Sequence, residues 1–201
     1  AFVVTTMQDN QLHGWGLKDA KNLRMGGYPS KVRSLAFLAN GQLLATSGAQ
    51  GAVLWPFIGS NGPMGREATE IGYDEASLIN LVSARVNHGL LAAGLTDGRV
   101  WVAHPAAQGL NFVKANKGPV IVALCLSPAA DAVAWADEDG AAGLADHRVG
   151  LPVSDAGAFL DDLRPLVNRN PAPDLAPAVI APVAFPAPLL ATQVGMEVAV
   201  P

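Results

Sequence analysis

The sequence predicts an all-β fold made of a repeated antiparallel meander, followed by a tail of different composition. Three observations carry that prediction. Apolar runs of roughly four to eight residues alternate with Gly, Asn and Asp turns, as half-buried or buried strands do. One of these turns recurs at a nearly constant interval, and near Gly150 the pattern stops.

Residues 31–57 show the unit most plainly. Val32 to Phe37 is a first apolar run, Asn40-Gly41 a turn, Gln42 to Ser47 a second run, Gly48 to Gly51 a second turn, and Ala52 to Phe57 a third run. Asn-Gly between apolar runs predicts a tight two-residue hairpin, because the centre of such a turn needs positive φ and these residues reach it at least cost. Residues 1–17 read as the last two runs of the same unit, Phe2 to Thr6 and Gln11 to Leu17, joined at Asp9-Asn10. The chain thus starts inside a strand, and a processed or truncated N-terminus is expected. A third unit covers residues 77–104, with runs at Leu78 to Ala84, Leu90 to Leu95 and Arg99 to Ala103. A fourth covers residues 119–147, with turns at Ser127 to Asp131 and Asp137 to Gly140.

The second turn of each unit is a ruler. Asp9-Asn10, Gln50-Gly51, Asp97-Gly98 and Asp139-Gly140 occupy it, at intervals of 41, 47 and 42 residues. A period in the low forties, with three runs and room for a fourth, is that of a β-propeller blade. Fourth strands are expected near Asn22 to Gly26, Glu67 to Gly72 and Leu110 to Lys114, which are more polar, as outer edge strands should be. The first two runs of each unit are almost continuously apolar, which suits strands covered on both faces by neighbouring blades.

On period, turn residues and Trp placement, residues 1–148 resemble the WD-repeat (WD40-type) β-propeller family, and look like the C-terminal half of such a protein. The family's Trp-Asp pair stands here as Trp15-Gly16 and Trp55-Pro56, Trp101 lies earlier in its strand, and Leu144 stands where the fourth unit would have an aromatic. No Gly-His pair precedes a first strand, so the family's Asp-His-Ser/Thr-Trp hydrogen-bond network is expected to be incomplete, with blade stability resting on apolar packing. The resemblance implies a platform for partner proteins. About three and a half four-stranded blades are too few for the roughly six to eight of a closed ring, so an arc is expected, completed by an absent N-terminal portion or another chain. Its open end faces favour self-association.

The propeller region is bounded at residue 149, and residues 150–201 make a separate region rich in Pro and Ala. Residues 151–201 hold nine of the fifteen prolines and no Lys, a density that excludes helix interior and central strand over most of the stretch. One short helix is expected over Asp155 to Leu163, before Pro165, and the remainder reads as extended or partly disordered.

Composition narrows the function. Only 15% of residues are charged and the formal net charge is -4, so no basic footprint points to nucleic acid or to an anionic membrane surface. No apolar run approaches the roughly 18 residues of a membrane span. The single Cys125, inside ALCLS, reads as a small buried apolar residue and favours a reducing, cytoplasmic compartment.

Motifs with chemistry are scarce. His13, His88, His104 and His147 sit in different units with no close second ligand, so turn or surface roles are expected rather than zinc. Asp137-Glu138-Asp139-Gly140 lacks the longer loop and closing Glu of a calcium site and reads as a solvated turn. There is no nucleophile elbow, phosphate-binding Gly-Lys loop or dinucleotide fingerprint. Trp15, Trp55, Trp101 and Trp135 recur once per unit, as packing between blades requires. No cofactor or metal is expected.

What stands out is a surface. The unit containing Trp55 is longer than its neighbours, and its extra length is read into residues 59–76. In a propeller the loop leaving an outer strand shares one face with the second turn of each blade, which places Tyr28, Lys31, Tyr73, Asp74, Glu75 and Lys117 on one rim with Asp97, Glu138 and Asp139. Aromatics beside both charge signs suit protein recognition, the plainer reading being a solvated rim. The expected function is a non-enzymatic interaction scaffold. The alternative is a propeller enzyme, lactonase- or quinoprotein-like, with a metal or cofactor in the central channel. That would need inward polar ligands, and the inner runs offer Arg33, Ser34, Asn80 and Ser83, with neither carboxylate nor His.

Overall fold

A computed structural model of the chain describes residues 1–106 and 109–146. They form four antiparallel sheets, each a simple meander of consecutive strands. The first sheet is β1 (Phe2–Thr6), β2 (Leu12–Gly16) and β3 (Asn22–Met25). The second is β4 (Leu35–Leu38), β5 (Leu43–Thr46), β6 (Ala52–Pro56) and β7 (Thr69–Ile71). The third is β8 (Ile79–Ala84), β9 (Leu91–Leu95), β10 (Val100–Ala103) and β11 (Asn111–Lys114), and the fourth is β12 (Ile121–Leu126), β13 (Ala132–Asp137) and β14 (Ala142–Asp146). Among the described residues no helix is long and apolar enough to cross a membrane. The predicted helix over Asp155 to Leu163, the proline-rich tail and His147 lie outside the described residues.

Consecutive sheets stack face to face as propeller blades, and each interface is an apolar layer. Leu12, Leu23 and Met25 of the first blade meet Leu44, Phe57 and Val32 at the second. Leu38, Ala45, Ala52 and Leu54 of the second blade bury Trp101, Val82 and Ala93 of the third. Ala92, Val100 and Val102 of the third meet Ile121, Leu126, Val133 and Trp135 of the fourth. The period of two along each strand sends alternate residues to opposite interfaces, so β9, with a blade on either side, is buried throughout.

That rule also explains a departure. Cys125, expected to be buried, is exposed. No sheet covers the outward face of the fourth blade among the described residues, and β12 accordingly is buried only at its ends, Ile121 and Leu126. The same face carries Ala123, Ala134 and Ala142, all exposed.

Two boundaries differ from the sequence reading. The second blade's first strand begins at Leu35 rather than Val32, because the amides of Arg33 and Ser34 both donate to Ser47 Oγ at 3.0 Å instead of joining the ladder. The Asn40-Gly41 turn is wider than two residues: Leu38 pairs with Leu43, and Ala39, Asn40 and Gly41 all have positive φ. This turn is tied to the next blade by main chain alone, Ala39 N–H donating to His88 O at 2.9 Å and Asn40 N–H to Val86 O at 2.6 Å.

The second blade holds a buried chain of side-chain hydrogen bonds. Trp55 Nε1 donates to Tyr28 Oη at 2.5 Å, and that hydroxyl bonds Thr46 Oγ1 at 2.7 Å. In the third blade the fully buried Trp101 has no hydrogen-bond partner for its Nε1 among the described residues.

Candidate partner-binding rim

Loops between blades and the second turns within blades are hydrogen-bonded to one another at one end of the sheets. Ser30 N–H donates to Gly48 O at 3.1 Å, Asp74 N–H to Gln50 O at 3.2 Å, Gly118 N–H to Asp97 O at 2.8 Å and Glu138 N–H to Val120 O at 3.0 Å. These bonds link each inter-blade loop to a neighbouring turn, so the rim is one connected surface.

At its centre is an ion-pair cluster with Arg99 as hub. Its Nε donates to Asp97 Oδ2 at 2.8 Å, its Nη2 pairs with both Asp97 and Asp74, and its guanidinium lies 5.5 Å from the Phe112 ring centroid. Lys117 Nζ adds a second cation 3.4 Å from Asp97 Oδ2. Asp74 also accepts from Ala76 N–H at 2.9 Å. The Arg99 hydrogen bond, with that amide, holds Asp74 below the usual carboxylate range. At Asp97 burial pushes the pKa up, but the bonds from Arg99 outweigh it and the net shift is down. Arg99 in turn is pushed up by its bonds to Asp97 and Asp74.

Tyr73 stands beside this cluster, 64% exposed. Its exposure has a local cause. Gly72 has φ +70, and a Cβ there would lie 2.6 Å from the Trp101 ring, so the chain crosses that indole only as glycine and turns outward at Tyr73. Glu75, next but one to it, and Glu138 and Asp139 in the fourth blade's second turn are also exposed, Glu138 Oε1 lying 3.4 Å from Val120 N. Lys31 reaches the first blade's turn, donating from Nζ to Gln8 Oε1 at 2.8 Å.

Tyr28 does not belong to this surface. It is 7% exposed, because its hydroxyl is drawn inward by Trp55 and Thr46 and its ring packs between the first two blades. The insertion is also placed differently. Its larger part, residues 59–68, precedes the outer strand β7 and lies at the opposite end, where Gly62 sits against the Phe2 ring. Only residues 72–78 contribute to the rim. Arg99, absent from the predicted site, reads in sequence as the first residue of a strand. The signal for it was the turn Asp97-Gly98-Arg99, which folds an arginine back over the aspartate two residues earlier.

Three polar residues in or just before the inner strands are used between blades. Ser34 Oγ accepts from Val82 N–H at 2.7 Å, Ser83 Oγ from Leu126 N–H at 3.1 Å, and Asn80 Nδ2 donates to Ile121 O at 2.7 Å. Each stitches one blade to the next. Two clefts of about 300 Å³ open away from the rim, one lined by Phe2, Leu23, Asn61 and Met64 and the other by His88, His104 and Asp131. No group of three or more His, Cys, Asp or Glu that could hold a metal ion occurs among the described residues.

No protein-family model matches the chain, and no curated protein matches its sequence. Among solved structures, a chain from a crystal structure of the mitotic checkpoint complex is similar, with a TM-score of 0.58 at 12% identity. The match covers 75% of this chain and 45% of that one, so the chain spans less than half the length of that relative. At this identity the likeness concerns fold alone, and it agrees with blades stacked as in a propeller.

Proposed function

We propose that the chain is part of a WD-repeat-type scaffold that binds a protein partner on the Tyr73 rim without catalysing a reaction. The observation that carries the reading is the exposed Tyr73 set beside the Arg99–Asp74–Asp97 cluster, with Glu75 also exposed next to it. A rigid aromatic supplies contact area at little entropic cost, and charges held in fixed positions select the partner. The WD-repeat assignment is supported by the blade period and by the Trp55–Tyr28–Thr46 bonds, which stand where that family's network is expected. The similar chain comes from a multiprotein complex, in keeping with a partner-binding role.

The test compares the full chain with a Tyr73→Ala, Glu75→Lys variant as bait, Asp74 being left intact because it holds the loop to Arg99. A partner that co-purifies stoichiometrically with the wild type should bind the variant at least tenfold more weakly. Equal binding by both would reject the rim.

A further inference from the structure

Charge is divided unevenly along the rim. From Tyr73 to the fourth blade the contacts run from Asp74 to Arg99, from Asp97 to Lys117 and Gly118, and from Val120 to Glu138. Two cations and two carboxylates on this path close on one another: Arg99 pairs with Asp74 and Asp97, and Lys117 Nζ lies 3.4 Å from Asp97 Oδ2. Their charges sum to zero. Lys114 is turned to main chain, its Nζ donating to Gly98 O at 2.5 Å and to Asn116 O at 3.3 Å.

What stands outside these pairs on the same path is negative. Glu75 and Asp139 are exposed and make no hydrogen bond or ion pair among the described residues, and Glu138 reaches only the Val120 amide. The exposed cations Lys31 and Arg33 lie toward the first two blades instead: Lys31 bonds Gln8 in the first, and the Arg33 amide bonds Ser47 beside the second turn of the second. Tyr73 stands where the negative stretch begins. Its ring is 64% exposed and makes no ring or cation contact among the described residues. The face of a tyrosine ring attracts a cation, and Glu75, two residues on, supplies the counter-charge.

We infer that the protein bound by this rim presents a basic segment, laid from Tyr73 toward the second turn of the fourth blade, with one lysine or arginine on the Tyr73 ring and others beside Glu75, Glu138 and Asp139. The inference rests on the rim being a partner-binding surface and adds the chemistry of the partner. Arg99 and Lys117 are already neutralised by Asp74 and Asp97, so they do not repel such a segment, whereas an acidic one would meet unpaired carboxylates. This chain does not supply the segment itself. Residues 147–201 hold three arginines and no lysine against five carboxylates, and the whole chain has a formal net charge of -4. The segment therefore belongs to a different protein.

The probes are a fluorescein-labelled oligo-arginine peptide and an oligo-glutamate peptide of equal length, each titrated with the full chain of 201 residues at about 0.15 M salt, where only close charges act. Fluorescence anisotropy should show saturable binding of the first and none of the second. Glu75→Lys combined with Asp139→Lys should weaken oligo-arginine binding at least tenfold, and Tyr73→Ala several-fold. Glu67→Lys combined with Asp19→Lys makes the same change in net charge at the opposite end of the sheets and should leave binding near the wild-type value. Equal weakening by the two pairs would reduce the effect to net charge and overturn the inference, as would a chain that binds neither peptide or prefers oligo-glutamate. A partner that co-purifies with the wild type separates this failure from failure of the rim. If Tyr73→Ala releases that partner while Glu75→Lys with Asp139→Lys retains it, the rim stands and the basic segment falls. If neither releases it, both fall.

Discussion

Trp55 and Tyr28 are joined across the first inter-blade interface, the indole N–H donating to the phenolic oxygen at 2.5 Å. The same oxygen bonds Thr46 Oγ1, so one hydroxyl serves two neighbours in a buried setting, and burial raises its pKa. Tyr28→Phe keeps the ring and removes that hub. It should lower unfolding free energy by about 1–3 kcal/mol, the cost of leaving buried polar groups unpaired. Urea denaturation measures this, and Tyr73→Phe, on an exposed ring, serves as the control with little change.

The rim cluster gives a pH dependence with a definite sign. Asp74 and Asp97 titrate below the ordinary value of 3.8 in the folded state, so their contribution is present above that value and is lost as pH falls through the folded pKa values. Stability should therefore decline below about pH 4, the unfolded carboxylate range. Arg99→Gln removes the main cation that lowers both, leaving Lys117, and it should flatten this acid limb while reducing stability at pH 7. Thermal melts from pH 2.5 to 7 would show it; an unchanged limb in the variant would place the acid sensitivity elsewhere.

Gly98 and Gly140 occupy equivalent turns with positive φ, +82 and +88, but different surroundings. A Cβ on Gly98 would lie 2.6 Å from backbone atoms of Gly118 and Pro119, whereas one on Gly140 meets nothing within 4 Å. Gly140→Ala should cost about 1–2 kcal/mol, the left-handed penalty alone. Gly98→Ala should cost clearly more, because the inter-blade loop must also move. Equal shifts in Tm for the two would show that the loop yields freely.

The hydroxyl stitches between inner strands should be measurable singly. Ser34→Ala deprives Val82 N–H of its acceptor and Ser83→Ala does the same to Leu126 N–H. Each should cost about 1 kcal/mol. Amide hydrogen exchange at Val82 and Leu126 should accelerate in the corresponding variant only.

Much of this fold was legible because blade structure is written in local signals. The turn ruler and the alternation of small apolar runs located the strands, and the polar outer strands β3, β7 and β11 fell where expected. What misled were residues whose partners are distant in sequence. Tyr28 reads as an exposed loop tyrosine until Thr46 and Trp55, 18 and 27 residues away, claim its hydroxyl. Cys125 reads as buried because its strand is apolar, yet burial of that face depends on a neighbour and not on the strand. The insertion was misplaced because β7 is only three residues long, Thr69–Ile71, too short to divide residues 59–76 by pattern.

The bonds from Ala39 and Asn40 to the next blade's turn come from main-chain amides, so they do not depend on which side chains surround them. Replacing a side chain there removes no bond unless the replacement is proline, although the positive φ of Ala39, Asn40 and Gly41 disfavours β-branched residues. The spacing of the second and third blades at this end is thus held by the backbone, whereas the third and fourth are tied there by a side chain, Arg85 Nε donating to Ser127 O at 3.1 Å.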